Sequence, residues 1–357
     1  MDARLLNLGF SQRYLQEASL YPEFFIGRII SQSKDCYKVA TVEAEVMAQI
    51  SGKMRYSKDI QTDYPAVGDF VMLDRNDNLH GNAVIHVILG RKSLLVRKAA
   101  GGSHDIQAIA ANMDILFICM SLNKDYNMRR LERYLSIAWN SGATPVVVLT
   151  KSDLSVNLER AIFETEKVAM GADVVAASNE LDDGYMSLLK YISPGITVAF
   201  VGSSGVGKST LINRLLGENQ IKTIPIRKDD KGKHTTTSRE LILLPGGGAV
   251  IDTPGMREIG VEYADINTTF EDIDEMAQRC RFKDCGHENE PGCAVRNAIL
   301  EGTLDEERLL SYKKLKKEIK YDGLNSRQIE KEKNEEMFSA FGGIKNARNF
   351  VKSKNKL

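Results

Sequence analysis

Residues 25–30, 37–42, 44–50, 69–73 and 83–88 are five short runs rich in Val, Ile, Phe and Met, separated by polar turns. Runs of this length and spacing predict strands of a small β-barrel or sandwich. A helix is expected before them, around Arg13 to Glu17, and Gly68-Asp69 marks a tight turn ahead of the fourth run. The stretch Ala99-Ala100-Gly101-Gly102-Ser103 then breaks the pattern and reads as a linker. Past it the periodicity changes. Residues 115–120, 145–149, 173–177 and 196–201 are near-continuous apolar runs, and 128–140, 157–169, 185–191 and 208–216 carry helical stripes between and after them. Apolar runs alternating with amphipathic helices predict a mostly parallel, doubly wound α/β sheet. Val250-Ile251 supplies a further strand.

A chain of 357 residues has room for two or three domains. The divisions expected are an N-terminal segment and barrel at 1–98, a linker at 99–111, an α/β domain at 112–264, a cysteine-bearing module at 265–305 and a helical tail at 306–357. A formal net charge of zero excludes a uniformly basic nucleic-acid binder but leaves room for local patches. From Ser311 onward 13 Lys and Arg stand against 6 Asp and Glu, so the tail is such a patch. Arg91, Lys92, Arg97 and Lys98, near the end of the barrel, are candidate phosphate contacts. No run of about 18 apolar residues predicts a membrane span. Residues 1–10 lack a secretory pattern, and a cytoplasmic location is expected.

Gly202-Ser203-Ser204-Gly205-Val206-Gly207-Lys208-Ser209 follows a predicted strand and opens a predicted helix. That context identifies a phosphate-binding loop. Its glycines let backbone N–H groups approach a phosphate, and Lys208 supplies the cation. Ser209 is a candidate Mg²⁺ ligand, with Thr210 beside it. Thr150-Lys151-Ser152-Asp153, at the carboxyl end of another predicted strand, suits a guanine reader. Asp153 can accept from guanine N1–H and the exocyclic amine, a donor pair that adenine lacks. Asparagine is the usual first residue of such a signature, and Thr150 departs from it. Ser178, after the next strand, is a candidate contact near the base.

Asp252-Thr253-Pro254-Gly255 closes a third strand. Asp252 suits magnesium held through water, and the Gly255 N–H suits a γ-phosphate. Ras-type enzymes place a water-orienting glutamine after that glycine. Met256 stands here and cannot orient water. Within Lys231-Gly232-Lys233-His234-Thr235-Thr236-Thr237, Thr236 is the favoured further magnesium ligand and His234 the candidate water-positioning group. In an ordinary GTPase the phosphate loop comes first and the base reader last. Here the base reader leads, as a circular permutation would produce.

Cys280-x4-Cys285-x-His287-x5-Cys293 offers three thiolates and an imidazole, the closed tetrahedral set of a structural zinc ion. A cluster of this kind suits a metal site in a reducing compartment better than a disulfide framework.

Together these motifs resemble the ribosome small-subunit-dependent GTPase A family of circularly permuted GTPases, over nearly the whole chain. The resemblance implies an N-terminal OB-fold, a permuted P-loop GTPase domain and a zinc module. It also implies GTP hydrolysis stimulated by the small ribosomal subunit and its rRNA, in late maturation of that subunit. GTP with Mg²⁺ and one Zn²⁺ are the expected cofactors, and a monomer is expected. Two other readings stay open: an RNA-binding module that holds GTP without turning it over, and a kinase that prefers ATP.

Overall fold

The computed structural model describes residues 6–33, 36–57, 61–79, 81–98, 106–123, 125–181, 183–217, 239–252 and 265–321, with isolated positions at 328, 330–333 and 346. After helix α1 (Gln12–Ala18) come strands β1 (Phe25–Ser33), β2 (Cys36–Thr41) and β3 (Glu45–Ile50), a short helix α2 (Gly52–Ser57), then β4 (Phe70–Leu73) and β5 (Ala83–Ile88). Each strand coincides with one of the five apolar runs. The pairing order β1-β2-β3-β5-β4 returns to β1, because β4 also lies antiparallel to the first residues of β1. This closes a five-stranded barrel, which removes the free edges an open sheet would expose. Ile29, Val39, Val46, Val71, Leu73 and Ile85 fill its interior.

The second sheet is built from β8 (Ile115–Ser121), β9 (Thr144–Thr150), β10 (Asp173–Ala176), β11 (Thr197–Val201), β12 (Arg239–Leu243) and β13 (Ala249–Asp252). Its order is β10-β9-β8-β11-β13-β12, parallel from β10 to β13, with β12 antiparallel at the end. Strand β12 also pairs with the far end of β1, Ser31 opposite Glu240 and Gln32 opposite Arg239. Barrel and α/β domain are therefore one eleven-stranded sheet.

Three strands were not expected from the apolar pattern: β12 and a pair that precedes β8. β6 (Leu94–Lys98) and β7 (Ile106–Ala111) form an antiparallel hairpin, so the latter half of the expected linker is ordered. Its register is pinned at Gly68 (φ +94°), where a Cβ would stand 2.1 Å from the Ala111 carbonyl oxygen. Only glycine fits there.

Helix α3 (Met128–Ser141) is capped by the Asn127 side chain, which accepts from the Arg130 N–H, and stops at Gly142 in the left-handed region. Helix α4 (Leu158–Val168) and the short α5 (Met186–Leu189) follow, and α6 (Lys208–Leu216) opens from the phosphate loop. The carboxyl-terminal part holds α7 (Ile266–Thr269), α8 (Glu271–Ala277), α9 (Ala294–Leu300) and α10 (Glu306–Lys320). Phe270, Ile273, Val295, Leu309, Tyr312 and Leu315 form its own small core. The start of the lysine-rich segment thus packs as part of this module. It docks on α3: Arg308, held within the module by Asp272 of α8, bonds Glu132 of α3 at 2.9 Å, and the Ser136 hydroxyl of α3 donates to Thr269.

Candidate functional site

Three loops meet at the carboxyl ends of β8, β9, β10 and β11, where open α/β sheets bind ligands. The phosphate loop leaves β11 at Gly202 (φ +140°), where a Cβ would lie 2.3 Å from the Cys119 carbonyl oxygen of the neighbouring strand. Gly205 and Gly207 also take positive φ, leaving the loop open around its backbone N–H groups. Lys208, first residue of α6, turns its Nζ back over the loop and donates to the carbonyls of Gly202 and Ser203 at 2.7 Å. Ser209 and Thr210 occupy the first turn of the same helix, whose dipole favours an anion. Behind the loop, burial pushes the Cys119 thiol up to about 12 against the opposing pull of Lys208, so this wall stays neutral.

The base-reading segment is tied to that loop. Thr150 is buried at the end of β9, and its hydroxyl donates to the Val206 carbonyl at 2.6 Å. Lys151 takes a left-handed conformation (φ 56°), which turns the chain into a short 3₁₀ helix, Ser152–Leu154. Asp153 accepts from the Ser178 hydroxyl at 2.5 Å, and Ser152 N–H reaches the Ala177 carbonyl. A serine just after β10, 25 positions on, thus holds in place the carboxylate that follows β9.

Asp252 ends β13, opposite Glu240 of β12. His234, Thr236 and Gly255 lie outside the described residues.

The structure also brings in a pair that the motifs did not mark. Asp125 and Arg130 bond each other at 2.5 Å, and both reach Ser203: its hydroxyl donates to Asp125, and Arg130 Nη1 lies 3.3 Å from the same oxygen. The signal available in sequence was their placement just after an apolar strand, at the binding end of the sheet. Of the four basic residues proposed as phosphate contacts, Arg91 is engaged by Asp69 and by the carbonyls of Thr62 and Tyr64. Lys92 pairs with Asp114 and Arg97 with Gln107, so all three have partners within the fold. The Lys98 side chain lies outside the described residues. Gln107 also accepts from Arg239, joining the β6–β7 hairpin to the first residue of β12.

In the carboxyl-terminal module the ligand atoms of Cys280, Cys285, His287 and Cys293 all lie within 4.8 Å of one another. Cys280 Sγ is 3.9 Å from Cys293 Sγ, and His287 Nδ1 is 3.7 and 3.4 Å from these two sulfurs. Thiolates about 2.3 Å from a common tetrahedral centre would stand roughly 3.8 Å apart, so the spacing fits a metal ion. Burial and the Lys313 charge hold the His287 imidazole below its usual pKa, which favours the neutral ligand form. At Cys280 burial opposes ionisation, but hydrogen bonds from the Val295 and Ala294 N–H groups and from Cys293 and Cys285 together favour the thiolate.

A family model described as RsgA GTPase matches residues 88–262. The chain is 50% identical, over 97% of each sequence, to a protein of Lactiplantibacillus plantarum named small ribosomal subunit biogenesis GTPase RsgA 2. It is 45% identical to a Methanosarcina acetivorans protein named small ribosomal subunit biogenesis GTPase RsgA, over 88% of this chain and 86% of that one. Among solved structures, YjeQ from Thermotoga maritima aligns with a TM-score of 0.61 and 26% identity, covering 83% of this chain and 98% of its own. YloQ, described as a circularly permuted GTPase, aligns with a TM-score of 0.58 and 25% identity over 83% and 95%.

Proposed function

Because the chain belongs to the RsgA GTPase family and is a GTPase, we propose that it acts in late maturation of the small ribosomal subunit, its GTP hydrolysis stimulated by that subunit. The observation that carries this reading is the convergence of the base reader and the phosphate loop, locked by Thr150 and Val206, on a domain fused through β12 to a closed barrel. Barrels of this class present strands and loops to RNA, and the small subunit exposes rRNA. The protein would work as a monomer in the cytoplasm. No helix among the described residues is long and apolar enough to cross a membrane.

Asp153 takes the guanine N1–H and amine, with Lys151 along the base plane, and Gly202 to Thr210 hold the phosphates. Ser209, Thr236 and Asp252 hold Mg²⁺, which supplies charge neutralisation on the phosphates. Lys208 balances the β- and γ-phosphates, and His234 positions water in the place Met256 cannot fill. Cys280, Cys285, His287 and Cys293 hold a structural Zn²⁺, with no position left open for substrate.

The test is GTP turnover with and without small ribosomal subunits, for the native chain, Ser209→Ala and His234→Ala. Stimulation that is lost in Ser209→Ala supports the reading. Absence of stimulation in the native chain overturns it, and a stimulated rate unchanged in His234→Ala removes the histidine from the mechanism.

A further inference from the structure

Lys208 Nζ lies 2.7 Å from the carbonyl oxygens of both Gly202 and Ser203. The lysine of a phosphate loop serves the β- and γ-phosphates, so this limb of the loop stands at the γ end of the nucleotide. A second cation meets the same limb from α3. Arg130 Nη1 lies 3.3 Å from the Ser203 hydroxyl oxygen and 2.5 Å from Asp125, which also accepts from that hydroxyl. Both contacts use one nitrogen. Nε and Nη2 of Arg130 make no hydrogen bond among the described residues. The side chains of Arg130 and Asp125 are 36% and 35% exposed, and an ion pair so open to water holds its members weakly. The guanidinium therefore leaves Asp125 for a better anion at little cost. A phosphoryl group is such an anion, because two N–H groups of the planar fork match two of its oxygens.

We propose that Arg130 is a further catalytic residue for GTP hydrolysis: its fork takes the γ-phosphate oxygens, and Asp125 holds it beside the loop when no γ-phosphate is there. The proposal rests on the phosphate loop as the seat of GTP. In hydrolysis a water oxygen bonds to the γ-phosphorus while the bond to the β,γ-bridging oxygen breaks. The electron pair of that bond stays on GDP, and the water's proton ends on the released phosphate. Negative charge spreads over the three equatorial oxygens of the transferring group. Arg130 meets that charge from the α3 side and Lys208 from the loop. Donors fixed in place before the charge develops lower the barrier most. GDP lacks the γ-phosphate and leaves Arg130 with Asp125.

The test competes GDP and the β,γ-imido analogue of GTP against a fluorescent GDP analogue, and follows single-turnover hydrolysis of GTP. Arg130→Ala should weaken the imido analogue about tenfold, the worth of a charged hydrogen bond, and slow hydrolysis about a hundredfold. Its GDP affinity should stay native, which also shows an intact loop. Arg130→Lys, which keeps the charge without the fork, should fall between the two. Asp125→Asn keeps an acceptor for the Ser203 hydroxyl and removes the competing charge, so it should bind the imido analogue more tightly than the native chain. If the pair only props Ser203, Asp125→Asn and Arg130→Ala weaken GDP and the imido analogue alike, and the proposal falls. A native rate of hydrolysis in Arg130→Ala overturns it as well. Native affinity for both nucleotides in Lys208→Met would instead overturn the phosphate-loop reading.

Discussion

Arg28 of barrel strand β1 donates from Nη1 to the hydroxyl of Thr197, the first residue of β11, across 2.9 Å between the barrel and the GTPase sheet. The same guanidinium bonds the carbonyls of Leu8, Gly68 and Asn112 and lies over the Phe70 ring at 4.7 Å. None of these partners is a carboxylate. Burial lowers the Arg28 pKa to about 10, with Tyr14, Asp114 and Asp69 opposing, so the group remains charged at neutral pH. A buried cation held by oriented dipoles orders the N-terminal segment, barrel and α/β sheet around one point. Arg28→Met should cost about 3 kcal/mol or more, because buried carbonyls lose their donor. Arg28→Lys should recover part of it. Urea midpoints measure both, and a neutral Arg28→Met would show that the barrel is held chiefly by β12.

Tyr14 donates to the Asn112 side chain at 2.9 Å, and burial raises its hydroxyl from 10.0 to about 12. The Cys119 thiol is raised from 9.0 to about 12 by the same cause. In the unfolded chain both groups lose their protons first, so their contribution is complete below about pH 9 and is lost as pH rises toward 12. Urea midpoints between pH 8 and 11 should fall less steeply in a Tyr14→Phe, Cys119→Ala variant. An identical slope would mean that other groups govern the alkaline limb.

Asp153→Asn replaces a carboxylate acceptor with an amide that can also donate. We expect GDP affinity to drop roughly a hundredfold, since guanine's two donors lose a charged partner. Xanthosine diphosphate, with a carbonyl where guanine has its amine, should gain. Competition binding reads both changes, and an unaltered preference for GDP would place base recognition elsewhere.

Metal removal should act locally. Structural zinc contributes about 10–16 kcal/mol in small peptides, more than the core around Phe270 and Tyr312 can replace. A chelator should make residues 265–321 sensitive to limited proteolysis while GDP binding persists. Protease resistance that survives complete metal removal would show that the module's own packing and its docking on α3 through Arg308 and Glu132 suffice.

Much of this molecule is legible in its sequence because its chemistry is local. The five barrel runs, the phosphate loop and the cysteine set each carry their signal within a few residues. The β6–β7 hairpin was hidden because Ala108, Ala110 and Ala111 bury fully yet carry little apolar weight in a run. Strand β12 was hidden for another reason: Arg239 and Glu240 break its apolar pattern where it leaves the GTPase sheet to meet β1. The roles of Asp125 and Arg130 depend on Ser203, 78 and 73 positions away, which no local pattern records. Arg91 shows the reverse failure. A basic residue at a barrel's rim looked available to phosphate, and Asp69 had already taken it.

The pairing of Ser31 with Glu240 also bears on how the chain is made. Half of one edge of β1 is covered by β4, but the end at Ser31 and Gln32 has no partner on that side until residues 239 and 240 are synthesised. Emerging amino end first, the barrel must wait with a short stretch of backbone donors and acceptors exposed, while Arg28 waits for Thr197. Contacts this distant in sequence form late and leave sticky intermediates. Truncations ending between β11 and β12 should therefore aggregate on release from the ribosome, and chains extending past β13 should not. The fused sheet makes the covering of the last residues of β1 a late event in the birth of each molecule.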